Sequence, residues 1–485
     1  EVTVAADRAD VLAGLAAAAV DERWLAARLV YPYLPHPVAD GCPWHGMQVL
    51  ADDCYLLTGP GRSARVVRWW RPPEPVLPLA EAAPLVAQAL VAGVEARTRV
   101  GGTISCDLSG GLDSTPICFL AARGNSQVIA VTLVSTDSGH DDARWAQRAA
   151  DQLDGVERVV RDMRQLPLMY ADVGEGGVGA DEPHIVIRDH ASTTCVARRL
   201  VERGSRLHLG GMGGDQVLQA PAAYLHTTAV THPRIAASHL RGRRAVSGWP
   251  LAATLRGLAD RRSYQQWLAA TVDDLTAPAP VRGMPDLGWG PVLRLPPWVT
   301  APAVDAARTL LHEAAAGAQP LAPTRGQHAA LEQLRGVGYL TRNIAGIMAR
   351  VGLPLAAPFL DDRVVEACLA VRLHERSTPW RFKPLIVEAM RDLVPAAVLH
   401  RTTKGDFSAD WHTGLRHARV HLAGLLEDLV LVRLGLVDAA ALRKVCLGLY
   451  PYTLDPVALD RTLACEAWLR TLTPAPPVTA IGASR

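Results

Sequence analysis

Residues 103–122 read TISCDLSGGLDSTPICFLAA: an apolar run, a turn with two glycines between serines, then a second apolar run. The first run has the character of a strand buried on both faces, and the second that of a helix. A strand that ends in a glycine turn and feeds a helix is where open α/β sheets hold ligands. Glycines let backbone N–H groups approach an anion closely, and a helix N-terminus favours negative charge. Ser109 and Ser114 add hydroxyl donors. The turn is either a phosphate cradle or a tight turn with no ligand. It is not a Walker-type site, because the chain contains no G-x-x-x-x-G-K-[ST].

Asp113 sharpens the choice. A carboxylate repels an anion in the same turn unless a divalent cation lies between them. That arrangement calls for a second carboxylate on the same metal. Residues 206–218, RLHLGGMGGDQVL, supply one: another strand runs into a glycine turn and carries Asp215. Two such turns, each with one aspartate, make a clamp for Mg²⁺ and a triphosphate.

Further out, VIAVTLVS (128–135) reads as a strand and DDARWAQRAADQL (141–153) as a helix. Strands separated by helices of that size indicate a parallel sheet covered on both faces. LAEAAPLVAQALVAGVEARTR (79–99) has helical apolar spacing, and RPPEP (71–75) is a linker. Residues 1–30 read as helical and 41–70 as short antiparallel strands. Beyond about residue 225 the chain is mostly helical, apart from a proline- and tryptophan-rich stretch at 277–298. That stretch either walls a cavity or packs as an ordinary loop. No internal repeat is present.

With 485 residues, two or three domains are expected. A net charge of +2 gives no basic footprint, so no nucleic-acid partner is expected. No apolar run of membrane-spanning length and no signal-peptide pattern is read, so no membrane partner is expected either. The eight cysteines form no C-x-x-C pair, and a reducing cytoplasm fits them. The chain starts at Glu1 without methionine, so an upstream segment is expected. The sixteen histidines show no H-E-x-x-H, which argues against a transition-metal site. GEGGVG (174–179) matches a dinucleotide fingerprint, yet Asp181, Glu182 and Pro183 stand where a helix should begin, so it reads as a loop. RGRRA (241–245) is a solvated basic face or a contact for an acidic leader or partner. Only three of fifty basic residues are lysine: Lys383, Lys404 and Lys444. Lys404 lies in a glycine-containing loop, whereas Lys444 lies outside any motif and reads as surface.

SGGLDS (109–114) resembles the PP-loop of ATP pyrophosphatases, a motif shared by asparagine, GMP and NAD synthetases and by tRNA-modifying enzymes. DEP (181–183), LGGMGGDQ (209–216), PFLDDRVVE (358–366) and KPLIVEAM…LVPAAVLHRTTKGDF (383–407) follow in the order of the asparagine-synthetase domain. The resemblance implies an α/β fold with a PP-loop (adenine nucleotide alpha hydrolase-like) parallel sheet and a helical C-terminal part. A partial, inactive antiparallel β glutaminase-like domain at 1–75 would precede a synthetase domain at 76–472, with a disordered tail at 473–485. It also implies that Ser109, Gly110, Gly111, Asp113 and Ser114 hold the pyrophosphate portion of ATP, and that Asp113 and Asp215 bind Mg²⁺. Leu108, Leu133 and Gly211 would line the adenosine pocket. Lys404 would neutralise charge at the α-phosphate, and Lys383 would be structural or touch phosphate.

The acceptor half departs from the pattern. Asparagine synthetases have glutamate three residues before the second aspartate, and β-lactam synthetase has tyrosine; this chain has Met212, which moves no proton. The K-x-x-L-R element becomes Lys383-x-x-Ile386-Val387, and Asn343 stands nearest a family aspartate. Glu182, His184 and His190 are either proton acceptors or structural groups. These changes make the chain most similar to lasso-peptide macrocyclases, which adenylate an Asp or Glu side chain of a leaderless core peptide and close an isopeptide bond with its N-terminal amine. The implied partners are the precursor peptide, a leader peptidase and a leader-recognition protein. A glutamine-dependent asparagine synthetase homologue, a β-lactam-type synthetase and a tRNA-modifying PP-loop enzyme are the alternatives.

Overall fold

The computed structural model describes residues 4–59, 62–137, 139–174, 180–279, 283–403, 405, 408–451 and 453–472. Lys404, the tail 473–485 and most of the GEGGVG stretch (175–179) lie outside the described residues.

Seven strands are present among the described residues. β1 (Cys54–Gly59) and β2 (Arg62–Arg68) form an antiparallel hairpin in which Tyr55 faces Val67. β3 (Thr103–Asp107), β4 (Gln127–Val134), β5 (Glu157–Asp162), β6 (His208–Leu209) and β7 (Leu355–Ala356) make one parallel sheet in the order β5-β4-β3-β6-β7. Apolar runs fill its centre: Ile104, Cys106, Val128, Ala130 and Leu209 are buried. From β3 the chain winds out through β4 and β5, then returns to place β6 on the other side of β3. The strand order therefore reverses between β3 and β6, where the carboxyl ends of a doubly wound sheet open a crevice. Both glycine turns lead out of that crevice.

The helix Leu79–Thr98 is long and apolar enough to cross a membrane, with mean hydropathy 1.3. This corrects the expectation that no run of that length exists. The helix carries Pro84, Glu81, Glu95 and Arg97, and it buries Ala82, Val86, Leu90 and Val94 in the core around the sheet. The first forty residues, with helices Ala9–Ala16 and Glu22–Arg28, share a second apolar core with the helix Ala301–Gly317 and the C-terminal helix Pro456–Thr471. Trp289 and Trp298 of the 277–298 stretch belong to that core as well. The described part of the stretch around these tryptophans therefore packs against the core. All eight cysteines are free.

Candidate active site

Because β3 and β6 are neighbours, the turns that follow them touch. A Cβ on Gly211 would come within 2.7 Å of the Ser114 nitrogen, and a Cβ on Gly214 would collide with the Asp113 carboxylate. Only glycine lets the second turn lie this close to the first. Within the first turn the hydroxyls of Ser109 and Ser114 are 2.7 Å apart, and the N–H of Gly111 donates to Ser109 Oγ at 3.2 Å. Gly110 has φ +76° and lies against Trp145. These groups gather at the N-terminus of the buried helix Ser114–Ala122, where backbone donors and the helix dipole suit an anion.

The two aspartates converge on one cation. Lys383 Nζ lies 2.5 Å from both carboxylate oxygens of Asp113 and 2.7 Å from Asp215 Oδ1. Lys383 is 2% exposed and has φ +45°, a left-handed backbone on a bulky residue. Such a conformation costs about 1–3 kcal/mol and persists when its surroundings over-determine it. Two carboxylates meet at this ammonium, and both acids keep an open side, at 22% and 34% exposed. This set of hard oxygens fits Mg²⁺, which takes its remaining ligands from phosphates and water. Among the described residues no cluster of three or more His, Cys, Asp or Glu could hold a metal alone. The donor set thus suits a metal that arrives with its substrate.

The segment containing Lys404 is pinned on both sides. Upstream, buried Arg401 pairs with Asp141 at 2.8 Å and with Asp142, and the Thr403 hydroxyl donates to Asp141 at 2.7 Å. Downstream, Asp410 accepts from the hydroxyls of Ser135 (2.6 Å) and Thr136 just past the end of β4. Burial alone would push the Asp410 carboxyl up, but the hydrogen bonds from Ser135 and Thr136 hold it below the usual range. Gly405 lies against His140. Sequence reading overlooked Arg401, Asp141, Asp142 and Asp410. The available signal was acidic residues at the start of one helix and a basic residue beside the lysine loop.

A cavity of about 330 Å³ opens at the carboxyl ends of β3, β4 and β6. Four of the seven methionines line it: Met163, Met169, Met212 and Met348. Leu133 also faces it, whereas Leu108 is fully buried in the sheet core, with its N–H on the Val131 carbonyl at 2.7 Å. Gly211 is part of the turn contact described above. Glu182 and His184 line a separate cavity of about 20 Å³, room for one water. Burial pushes the Glu182 carboxyl up; burial and Arg28 bring His184 down to about 4. His190 is bonded to Asp172 at 2.5 Å. Asn343 donates to the Tyr339 carbonyl within its own helix, Ile386 is buried, and Lys444 is exposed.

No curated protein gives a significant match. Among solved structures, one similarity is to the NMN synthetase of Francisella tularensis, at 18% identity and a TM-score of 0.21. It covers 29% of this chain and 58% of that one, so the chain spans little more than half of that protein's length. An overlap so limited bears on neither fold nor function. The asparagine synthase family model, by contrast, matches residues 85–470, a span that holds the parallel sheet, both glycine turns and Lys383. The chain belongs to the asparagine synthase family.

Proposed function

We propose that the enzyme is a lasso-peptide macrocyclase. In this reading it adenylates an Asp or Glu side chain of a leaderless core peptide and joins it to the peptide's N-terminal amine. The observation that carries the proposal is the methionine-lined cavity that Met212 of the second glycine turn faces, with Met212 at the position that holds glutamate or tyrosine in the synthetases it resembles. Ammonia needs no apolar cavity of about 330 Å³, while a peptide segment can fill one. Because the nucleophile belongs to the same molecule as the acyl group, holding both together supplies much of the rate.

Asp113 and Asp215 would hold Mg²⁺, which, when bound, screens the triphosphate and polarises the α-phosphate. Ser109, Gly110, Gly111 and Ser114 orient the pyrophosphate portion, and Leu108, Leu133 and Gly211 flank the adenosine. Lys383 would orient the two carboxylates, and Lys404 would neutralise charge that builds up at the α-phosphate. A leader peptidase and a leader-recognition protein deliver the peptide.

The test is mass spectrometry of linear peptides with a free N-terminal amine and one internal Asp or Glu, incubated with enzyme, ATP and Mg²⁺. Loss of one water with release of AMP and pyrophosphate is expected. Asparagine made from aspartate and glutamine, or a β-lactam product, would overturn the reading.

A further inference from the structure

Met212 leaves the acceptor side without an acid–base group at the position where the resemblance places one. A different acid reaches the same cavity. Asp107, the last residue of β3, and His208, the first of β6, are paired across the two strands, with His208 Nε2 3.2 Å from Asp107 Oδ1. His208 Nδ1 lies 2.8 Å from the Ser105 hydroxyl, which in turn lies 2.9 Å from that of Ser205. An ionised carboxylate only accepts, so the arrangement in which every group is satisfied has one direction. His208 Nε2–H donates to Asp107, Ser105 to His208 Nδ1, and Ser205 to Ser105 or to the Leu207 carbonyl at 3.1 Å. Ser105, Ser205 and His208 are buried, whereas the Asp107 side chain is 43% exposed.

Three carboxylates line this cavity among the described residues, and two are committed elsewhere. Both oxygens of Asp410 accept from Ser135 and Thr136, and Asp189 is paired with the Arg188 guanidinium at 2.9 Å. Asp107 faces the cavity with the His208 ring nitrogen as its partner.

We infer that Asp107 is the group that binds the acceptor ammonium and takes its proton, with His208 as the residue that positions it. This deepens the macrocyclase reading and rests on it. The acceptor nitrogen attacks the carbonyl carbon of the acyl-adenylate, a C–N bond forms, and the C–O bond to AMP breaks. Of the two protons that the ammonium nitrogen loses, one passes to the Asp107 carboxylate and the other leaves on the AMP phosphate.

The experiment separates the two half-reactions in Asp107→Asn. With the linear peptides described above, ATP–pyrophosphate exchange should stay within about threefold of the unmodified enzyme, while ring closure falls at least 100-fold. Hydroxylamine, uncharged near neutral pH, should still trap the acyl-adenylate as hydroxamate at nearly the original rate. His208→Ala should move the acid limb of the ring-closure pH profile upward, and His208→Gln, which keeps an N–H, should restore it. Asp189 and Asp410, the other titratable groups facing the cavity, are unchanged in both. Unimpaired ring closure in Asp107→Asn, or equal loss of exchange and closure, overturns the inference. If no peptide yields AMP with the unmodified enzyme, the macrocyclase reading falls, and calorimetry then tests Asp107 alone. Leucinamide should bind, N-acetylleucinamide should not, and Asp107→Asn should weaken leucinamide binding at least tenfold; indifference to either change overturns the inference.

Discussion

Two clusters of buried charge make an instructive pair. Around Asp460, fully buried, converge the Tyr170 hydroxyl, Arg188 Nη1 at 2.5 Å and Trp411 Nε1 at 3.3 Å. Its acceptors are filled by side chains from three other segments, and no solvent face remains. Around Lys383 the setting differs: the ammonium touches two acids that stay partly open, on a backbone in a disfavoured conformation. A closed, saturated cluster locks elements together. A cluster with an open side and local strain is built to exchange partners.

Substitutions should therefore act on opposite quantities in the two places. Asp113→Ala, Asp215→Ala and Lys404→Ala should each abolish AMP release, with little change in melting temperature for the two aspartates. Undiminished AMP release in all three would remove the site. Asp460→Ala takes the acceptor from the buried Tyr170 hydroxyl and leaves Arg188 with Asp189 alone, which should cost about 1–3 kcal/mol of stability. Chemical denaturation should show that loss while AMP release per folded molecule is unchanged. An activity loss exceeding the folding loss would erase the contrast.

Lys383→Met removes an ammonium that both aspartates touch. Less positive charge then holds the two carboxylates together without metal, and the melting temperature should fall. Mg²⁺ should restore more of it than it adds to the unmodified protein, because the ion takes the ammonium's place. An identical Mg²⁺ response in both proteins would mean that lysine and metal do not compete for the same carboxylates.

The parallel sheet and both glycine turns could be read from sequence because their signals are local: apolar runs, then glycines, then an acid within a few residues. What completes the site is not local. Lys383 is 270 residues from Asp113 in sequence, and only the fold sets it between the two acids. Asp107 and His208 stand singly inside otherwise apolar strands, and only the adjacency of β3 and β6 pairs them. The tryptophans at 289 and 298 show the same limit from the other side. Their spacing fits a cavity wall or a core, and burial against the N- and C-terminal helices decides for core.

The remaining effect comes from a third buried acid, Glu332, and it is read as pH dependence. Tyr33 Oη and the His36 N–H donate to it at 3.0 and 3.1 Å, yet burial dominates and pushes its carboxyl up to about 7. The folded chain thus keeps its proton where the unfolded chain has lost it. Stability is full below about pH 4.5 and declines as pH rises to about 7, by up to roughly 3 kcal/mol. His328 and His184 oppose this, because burial brings them down to about 3 and about 4. They remain neutral in the folded chain, so their contribution is present above about pH 6.5 and is lost as pH falls below it. Glu332→Gln isolates the acid's share, since Gln keeps the shape and carries no titration. The stability difference between unmodified protein and variant, followed by denaturation from pH 4.5 to 8, should shrink toward pH 7 and then level off. A difference that is constant with pH would show that Glu332 is ionised throughout, and that burial alone does not make a charge cluster titrate.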